Sequence, residues 1–269
     1  VMKSLIVGAL QLPTLGMNAT RLEFYLKNAA KRDTKLMLFG EYVLNHFFGE
    51  LKSMPLSMLK EQSAKHIEIL RRFSAEYDMT FVAPIVKVEK EKIYKKIVKI
   101  SPRSVHYYSQ QILIPYGHWN EKRFFDNEAG ELREPMIFKI EGFRVAVMAG
   151  FELHFDRFWR DIMKKRVDLV LLPTASTFGS HCRWRELIKS RAFLNGCYIL
   201  RANRLGEYSD GELKWRFYGD SMLVNPEGEV EMMLEDKESM LIEPIDKESL
   251  KEHRRAWQFD RELRSRGEL

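Results

Sequence analysis

The residue that most sharply limits the chemistry of this chain is a glycine. An apolar run over residues 145–149 enters Gly150-Phe151-Glu152 and then a segment of helical character. A strand that stops at a sharp turn before a helix lifts one side chain into a pocket, the geometry of a nucleophile elbow. The lifted position here is Gly150, which has no side chain to attack with.

Other candidates lie on either side of it. Glu41 directly follows a hydrophobic run and Gly40. A carboxylate partly desolvated there has a raised pKa and can serve as a general base, or it can cap or pair locally. Residues 107–125 gather Tyr107, Tyr108, Gln110, His118, Trp119, Glu121, Phe124 and Phe125. Aromatics, a histidine and an acid in one loop suit a pocket rim, or equally a loop pinned by its own rings. Glu152, His154 and Asp156 alternate. On a strand they would share a face and could bind a metal. After an elbow they scatter around a helix start, with Asp156 as a cap. No partner motif such as His-Glu-x-x-His accompanies them, so no metal and no cofactor are expected. Cys182 stands between His181 and Arg183, which could lower its pKa and make it a nucleophile; a lone cysteine near a helix start is otherwise incidental. Cys197, in an apolar context, reads as core.

The elements that must position these residues alternate along the chain. Buried strands are expected over 5–12, 35–39, 79–88, 136–140, 143–149, 168–173 and 197–202. A hairpin is expected over 93–100 and 104–111, and later strands over 218–224, 230–234 and 239–245. Helices are expected from Asn18 or Thr20, from Pro55 to about 77, over 157–165 and over 183–194. This order predicts one α/β domain over 1–246 with helices covering sheet faces, and a charged C-terminal helix or tail, 247–269, for packing or dimer contact. Its Trp257 and Phe259 would touch a partner or their own subunit. Ligands gather at the carboxyl ends of strands in such sheets, which directs attention to Glu41, Gln110, Gly150 and Thr174.

Composition excludes several classes. The 269 residues are 45% hydrophobic, enough for a well-buried core. The formal charge is +6, but 44 Lys and Arg are interspersed with 38 acids, so no nucleic-acid stripe is expected. No run of about 18 apolar residues exists to span a membrane. Two cysteines are too few for a disulfide framework and fit a reducing, cytoplasmic setting.

Taken in order, these pieces resemble the nitrilase superfamily of carbon–nitrogen hydrolases. Phe39-Gly40-Glu41-Tyr42 looks like its glutamate motif, Tyr108-Ser109-Gln110-Gln111-Ile112-Leu113 like its lysine motif, and Gly150-Phe151-Glu152-Leu153-His154-Phe155-Asp156 like its elbow. Further matches are Leu171-Leu172-Pro173-Thr174-Ala175, residues 191–203, and Tyr218 through Gly228. The resemblance implies a four-layer αββα sandwich, usually dimerised, so a homodimer or higher homo-oligomer is expected. It implies a Glu–Lys–Cys triad in which Glu41 is kept, Gln110 stands at the lysine position and Gly150 at the cysteine position. Glu121 resembles an additional pocket glutamate, and Tyr42, Trp119, Phe151 and Thr174 would wall the pocket. The family's thiolate forms an acyl-enzyme that water hydrolyses, with the lysine steadying the oxyanion. Without a thiol, and with Glu41 deprived of a cation, the expectation is a protein that binds an amide-like or carbamoyl-like small molecule or acts in regulation. The alternative is an amidase using Glu41- and Glu121-activated water or Cys182.

Overall fold

The structure, a computed structural model, describes residues 4–269. The first half of the chain runs β1 (Ser4–Gln11), α1 (Thr20–Ala30), β2 (Leu36–Phe39), α2 (Phe48–Leu51), α3 (Leu56–Tyr77), β3 (Thr80–Glu89), β4 (Lys92–Ser101) and β5 (Ser104–Ser109). The second runs α4 (Glu121–Phe124), β6 (Met136–Ile140), β7 (Phe143–Val147), a 3-10 turn (Gly150–His154), α5 (Asp156–Lys164), β8 (Leu169–Thr174), α6 (His181–Asn195) and β9 (Tyr198–Asn203). It ends with β10 (Leu205–Asp210), β11 (Leu213–Tyr218), β12 (Met222–Val224), β13 (Val230–Met233), β14 (Ser239–Asp246), α7 (Lys247–Trp257) and α8 (Phe259–Ser265).

Two six-stranded sheets form, in the orders β14-β1-β2-β3-β4-β5 and β13-β12-β9-β8-β7-β6. The centre of each is parallel, β1-β2-β3 and β7-β8-β9, and the rims are antiparallel. Strand periodicity explains the layers. Leu5, Val7, Ala9, Leu36, Leu38, Val82 and Ile97 from one sheet meet Val145, Val147, Leu169, Leu171, Leu200 and Ala202 from the other in a single core. Residues of opposite parity, such as Leu10, Met37, Phe39 and Phe81, pack under α1 and α3 through Leu22, Leu26, Leu70 and Phe73. On the other side Ala146, Met148, Val170 and Leu172 pack under α5 and α6 through Phe158, Ile162, Ile188 and Ala192. Both faces of each central strand are therefore buried, which is why those strands read as continuous apolar runs. The result is the αββα sandwich.

The C-terminal segment packs on its own chain. Asp246 Oδ1 accepts the Ser249 backbone N–H at 2.7 Å and caps α7, Leu250 enters the inter-sheet core, and Arg254 donates to Asp168 at 3.1 Å. Trp257 stays half-exposed against Phe193, with ring centroids 5.0 Å apart.

Candidate active site

Four parallel-strand ends converge where the two sheets meet. β2 delivers Gly40-Glu41, β7 leads into Gly150, β8 ends at Thr174 and β9 at Asn203. The sheets touch here through backbone: Glu41 N–H donates to the Thr174 carbonyl at 3.1 Å. A Cβ on Gly40 would lie 3.1 Å from Arg204 N and 3.3 Å from the Ala202 carbonyl, so the close approach favours glycine. Tyr42 follows in the left-handed region, φ 55°, at a cost of about 1–3 kcal/mol. Its carbonyl is held by Thr14 Oγ1 at 2.8 Å, and the turn carries its phenol to Glu121 Oε1 at 2.5 Å.

Glu41 and Glu121 do meet, and a lysine joins them. Lys95 Nζ donates to Glu41 Oε1 and to Glu121 Oε1, each at 2.8 Å, and all three side chains are buried. The expectation that Glu41 lacks a cationic partner is overturned: the cation comes from β4, not from the strand that ends before Gln110. Burial pushes the Glu41 carboxyl up, Lys95 pulls it back, and Glu121 pushes it up again. Burial works against the Lys95 ammonium, but Glu121 and Glu41 outweigh it and hold it above the ordinary lysine value. On balance the Glu41 carboxyl is held above its ordinary value, with a buried cation fixed beside it. That suits Glu41 to accept and return a proton. Lys95, held protonated, cannot be a nucleophile.

Gln110 is buried but turned elsewhere. Its Nε2 donates to the Ile112 carbonyl at 2.9 Å, and its backbone N–H donates to the Lys95 carbonyl at 3.2 Å. Asn127, which no local sequence pattern marks, ties both strands: its Nδ2 donates to the carbonyls of Lys95 and Gln110, and its Oδ1 accepts the Lys95 N–H at 2.8 Å.

Gly150 begins the 3-10 turn and faces Glu41. A Cβ built there stands 3.0 Å from Glu41 Oε2 and 3.0 Å from the Pro173 carbonyl. Both approaches are tighter than ordinary contact, so a side chain here would need Glu41 or the end of β8 to give by a few tenths of an ångström; the position faces the acid and carries no attacking atom. Above it opens a cavity of about 560 Å³ whose lining includes Glu41, Gly150, Thr174, His118, Trp119 and Phe151. Phe178, His154, Arg183 and Trp184 complete much of its wall. Tyr42, Gln110 and Glu121 lie behind this surface rather than on it; Tyr42 and Glu121 act through the Lys95 cluster. Trp119 is backed by Phe47 and by Trp215 of the β10–β11 hairpin, an element absent from the expected strands.

The three alternating residues after the elbow separate. Glu152 turns inward and accepts from the backbone N–H of Gln111 at 2.7 Å; His154 lines the cavity; Asp156 pairs with Arg191 at 2.7 Å. Asp156 opens α5 without capping it through its side chain. Among the described residues no group of His, Cys, Asp and Glu could hold a metal ion. Cys182 is exposed on the first turn of α6 and outside the cavity lining. Cys197 is buried under α6, and burial pushes its thiol up to about 12.

Comparisons with known proteins agree with this architecture. The chain is 20% identical to an N-carbamoylputrescine amidase of Arabidopsis thaliana over 97% of this chain and 93% of that protein. It is 26% identical to an omega-amidase of Escherichia coli K12 over 60% of each chain. A carbon-nitrogen hydrolase structure from Helicobacter pylori G27 superposes with a TM-score of 0.83 at 22% identity, covering 96% of this chain and 94% of that one. The family model described as carbon-nitrogen hydrolase matches residues 6–255, from β1 into α7, and on that match the chain belongs to the carbon-nitrogen hydrolase family.

Proposed function

We propose that this protein binds a small amide-like or carbamoyl-like molecule in the cavity above Gly150 without forming an acyl-enzyme. The observation that carries this reading is the elbow itself: the position facing Glu41 has no side chain. No neighbouring group fills in. Thr174 Oγ1 donates to Asn203 and Ser180 Oγ to the Thr177 carbonyl, while Cys182 points to solvent and Cys197 is locked in the core. In a well-studied hydrolase triad, removing the nucleophile lowers kcat by about 10⁶.

The acid and cation that remain can still recognise an amide, with Glu41 accepting an N–H and the aromatic walls covering an aliphatic chain. N-carbamoylputrescine and propionamide are suitable probes, because curated relatives carry amidase names. Calorimetric titration should show binding that Glu41→Gln weakens. Intact-mass spectrometry should show no acyl adduct on the wild-type protein with either probe; an adduct would sink the reading.

The Lys95–Glu41 pair favours one second reading, hydrolysis by water. Water would add to the carbonyl, Glu41 would take its proton, and the proton would leave with the departing amine. Ammonia or amine release that Glu41→Gln abolishes and Cys182→Ser preserves would establish it. Self-association into a homodimer is a further part of the proposal, to be checked by sedimentation.

A further inference from the structure

We propose that Lys95 is a positioning residue that holds Glu41 as a proton acceptor aimed at the elbow, in place of the cation missing at Gln110.

The argument starts from register. β4 and β5 are antiparallel, with Lys96 opposite Ser109. One step further, Lys95 stands opposite Gln110, and the Gln110 N–H to Lys95 carbonyl bond closes that step. Residues opposite each other in an antiparallel pair project to the same side, about 5 Å apart. A four-carbon stem spans that offset easily, so a lysine on either strand can bring its ammonium to the same place. Here β4 supplies it, and the Gln110 amide is committed to the Ile112 carbonyl.

The next link is aim. Lys95 takes Glu41 Oε1, which leaves Oε2 as the oxygen 3.0 Å from where a side chain at 150 would begin. Glu121 and Tyr42 steady the lysine from behind, and Asn127 fixes its backbone to the end of β5. Stability reports the neutralisation of the two buried acids, whereas the pH dependence of an atom placed at the elbow reports the charge held beside Glu41. The two roles therefore separate experimentally.

The test arms the site. Gly150→Cys is made in a Cys182→Ser background, where the remaining Cys197 is fully buried and serves as an inert internal control. Iodoacetamide alkylation is followed by intact mass against pH. In that step the thiolate displaces iodide, a carbon–sulfur bond forms as the carbon–iodine bond breaks, and the thiol proton passes to Glu41 and then to solvent. A cation within about 4–6 Å shifts a neighbouring ionisation by about one unit or more. Adding Lys95→Met should therefore slow alkylation at pH 7 about tenfold and move the profile to higher pH by a similar factor. Adding Gln110→Lys to that variant should restore the rate, because the ammonium returns from the opposite strand. If Lys95→Met does not fold, as judged by circular dichroism, Lys95→Met with Glu121→Gln carries the same comparison with one fewer buried acid. An unchanged rate and profile without Lys95, or no recovery with Gln110→Lys in a folded variant, would overturn the proposal. An acyl adduct on the wild-type chain would instead overturn the proposed function and leave this comparison intact.

Discussion

Two places in this molecule bury glutamates, and they treat them differently. Glu41 and Glu121 share the Lys95 ammonium at 2.8 Å each. Glu152, a few residues along the elbow, has neutral donors: the backbone N–H of Gln111 at 2.7 Å, that of Ile112 at 3.5 Å and the Tyr108 hydroxyl at 3.3 Å. Burial pushes the Glu152 carboxyl up to about 7, and the backbone donors offset only part of that. Desolvation is common to both places, so the partner decides the role. A mobile proton beside a fixed cation makes a reactive acid facing a cavity. Amide donors make a pin that ties the segment after β5 to the elbow.

The largest break in this comparison should come from Lys95→Met. It strands two buried carboxylates without a cation, which typically costs about 3–5 kcal/mol. Urea unfolding should show it, and adding Glu121→Gln should recover part of the loss. A loss under about 1 kcal/mol would mean the cluster is wetter than its burial indicates.

Glu152→Gln tests the other side. Below pH 4.5 Glu152 is protonated in the folded and unfolded chains alike. Between 4.5 and about 7 the folded chain keeps a proton that the unfolded chain has released. The unfolded state then binds fewer protons, so the stability contributed by this group falls as pH rises through that window and levels off above it. The wild type should lose on the order of 2–3 kcal/mol more than Glu152→Gln between pH 4.5 and 7.5, read as the difference in their urea midpoints. Parallel curves would show that the amide donors already hold the anion.

The smallest effect should follow Gln110→Leu. It removes the bond to the Ile112 carbonyl, worth about 1 kcal/mol, and leaves the Lys95 cluster in place. Thermal melting should record a shift of that size, and binding of N-carbamoylputrescine should be unchanged. A loss of binding would put Gln110 in the site after all.

The layers were legible in the sequence because parity and length carry them. The run Leu169–Thr174 is apolar on both faces, and the α3 stripe supplies Leu59, Leu70 and Phe73 to buried positions. Glu41, Gly150 and the aromatic loop were legible because strand ends are marked locally. Lys95 was not. β4 carries Lys92, Lys95, Lys96 and Lys99, and nothing local says which one enters the site. Register across strands decides it, and a one-residue slip would send a different lysine inward. Parity narrows the choice without making it: Lys95 and Lys99 share the face of Ile97, which meets the inter-sheet core, whereas Lys92 and Lys96 do not. The β10–β11 hairpin was missed because its outer face is polar and exposed, even though Trp215 and Phe217 of β11 are buried beneath the cavity wall.

The hydrogen bond from Glu41 N–H to the Thr174 carbonyl joins strands that lie far apart in the chain and in different sheets. Its consequence is kinetic. Glu41, Lys95 and Glu121 all come from the first half of the chain, yet Glu41 is completed by the end of β8 in the second sheet. That contact then belongs on the native side of the folding barrier, after the slow long-range docking of one sheet on the other. Changes at Lys95 should accordingly speed unfolding more than they slow refolding, and the site should open before the rest of the sandwich lets go.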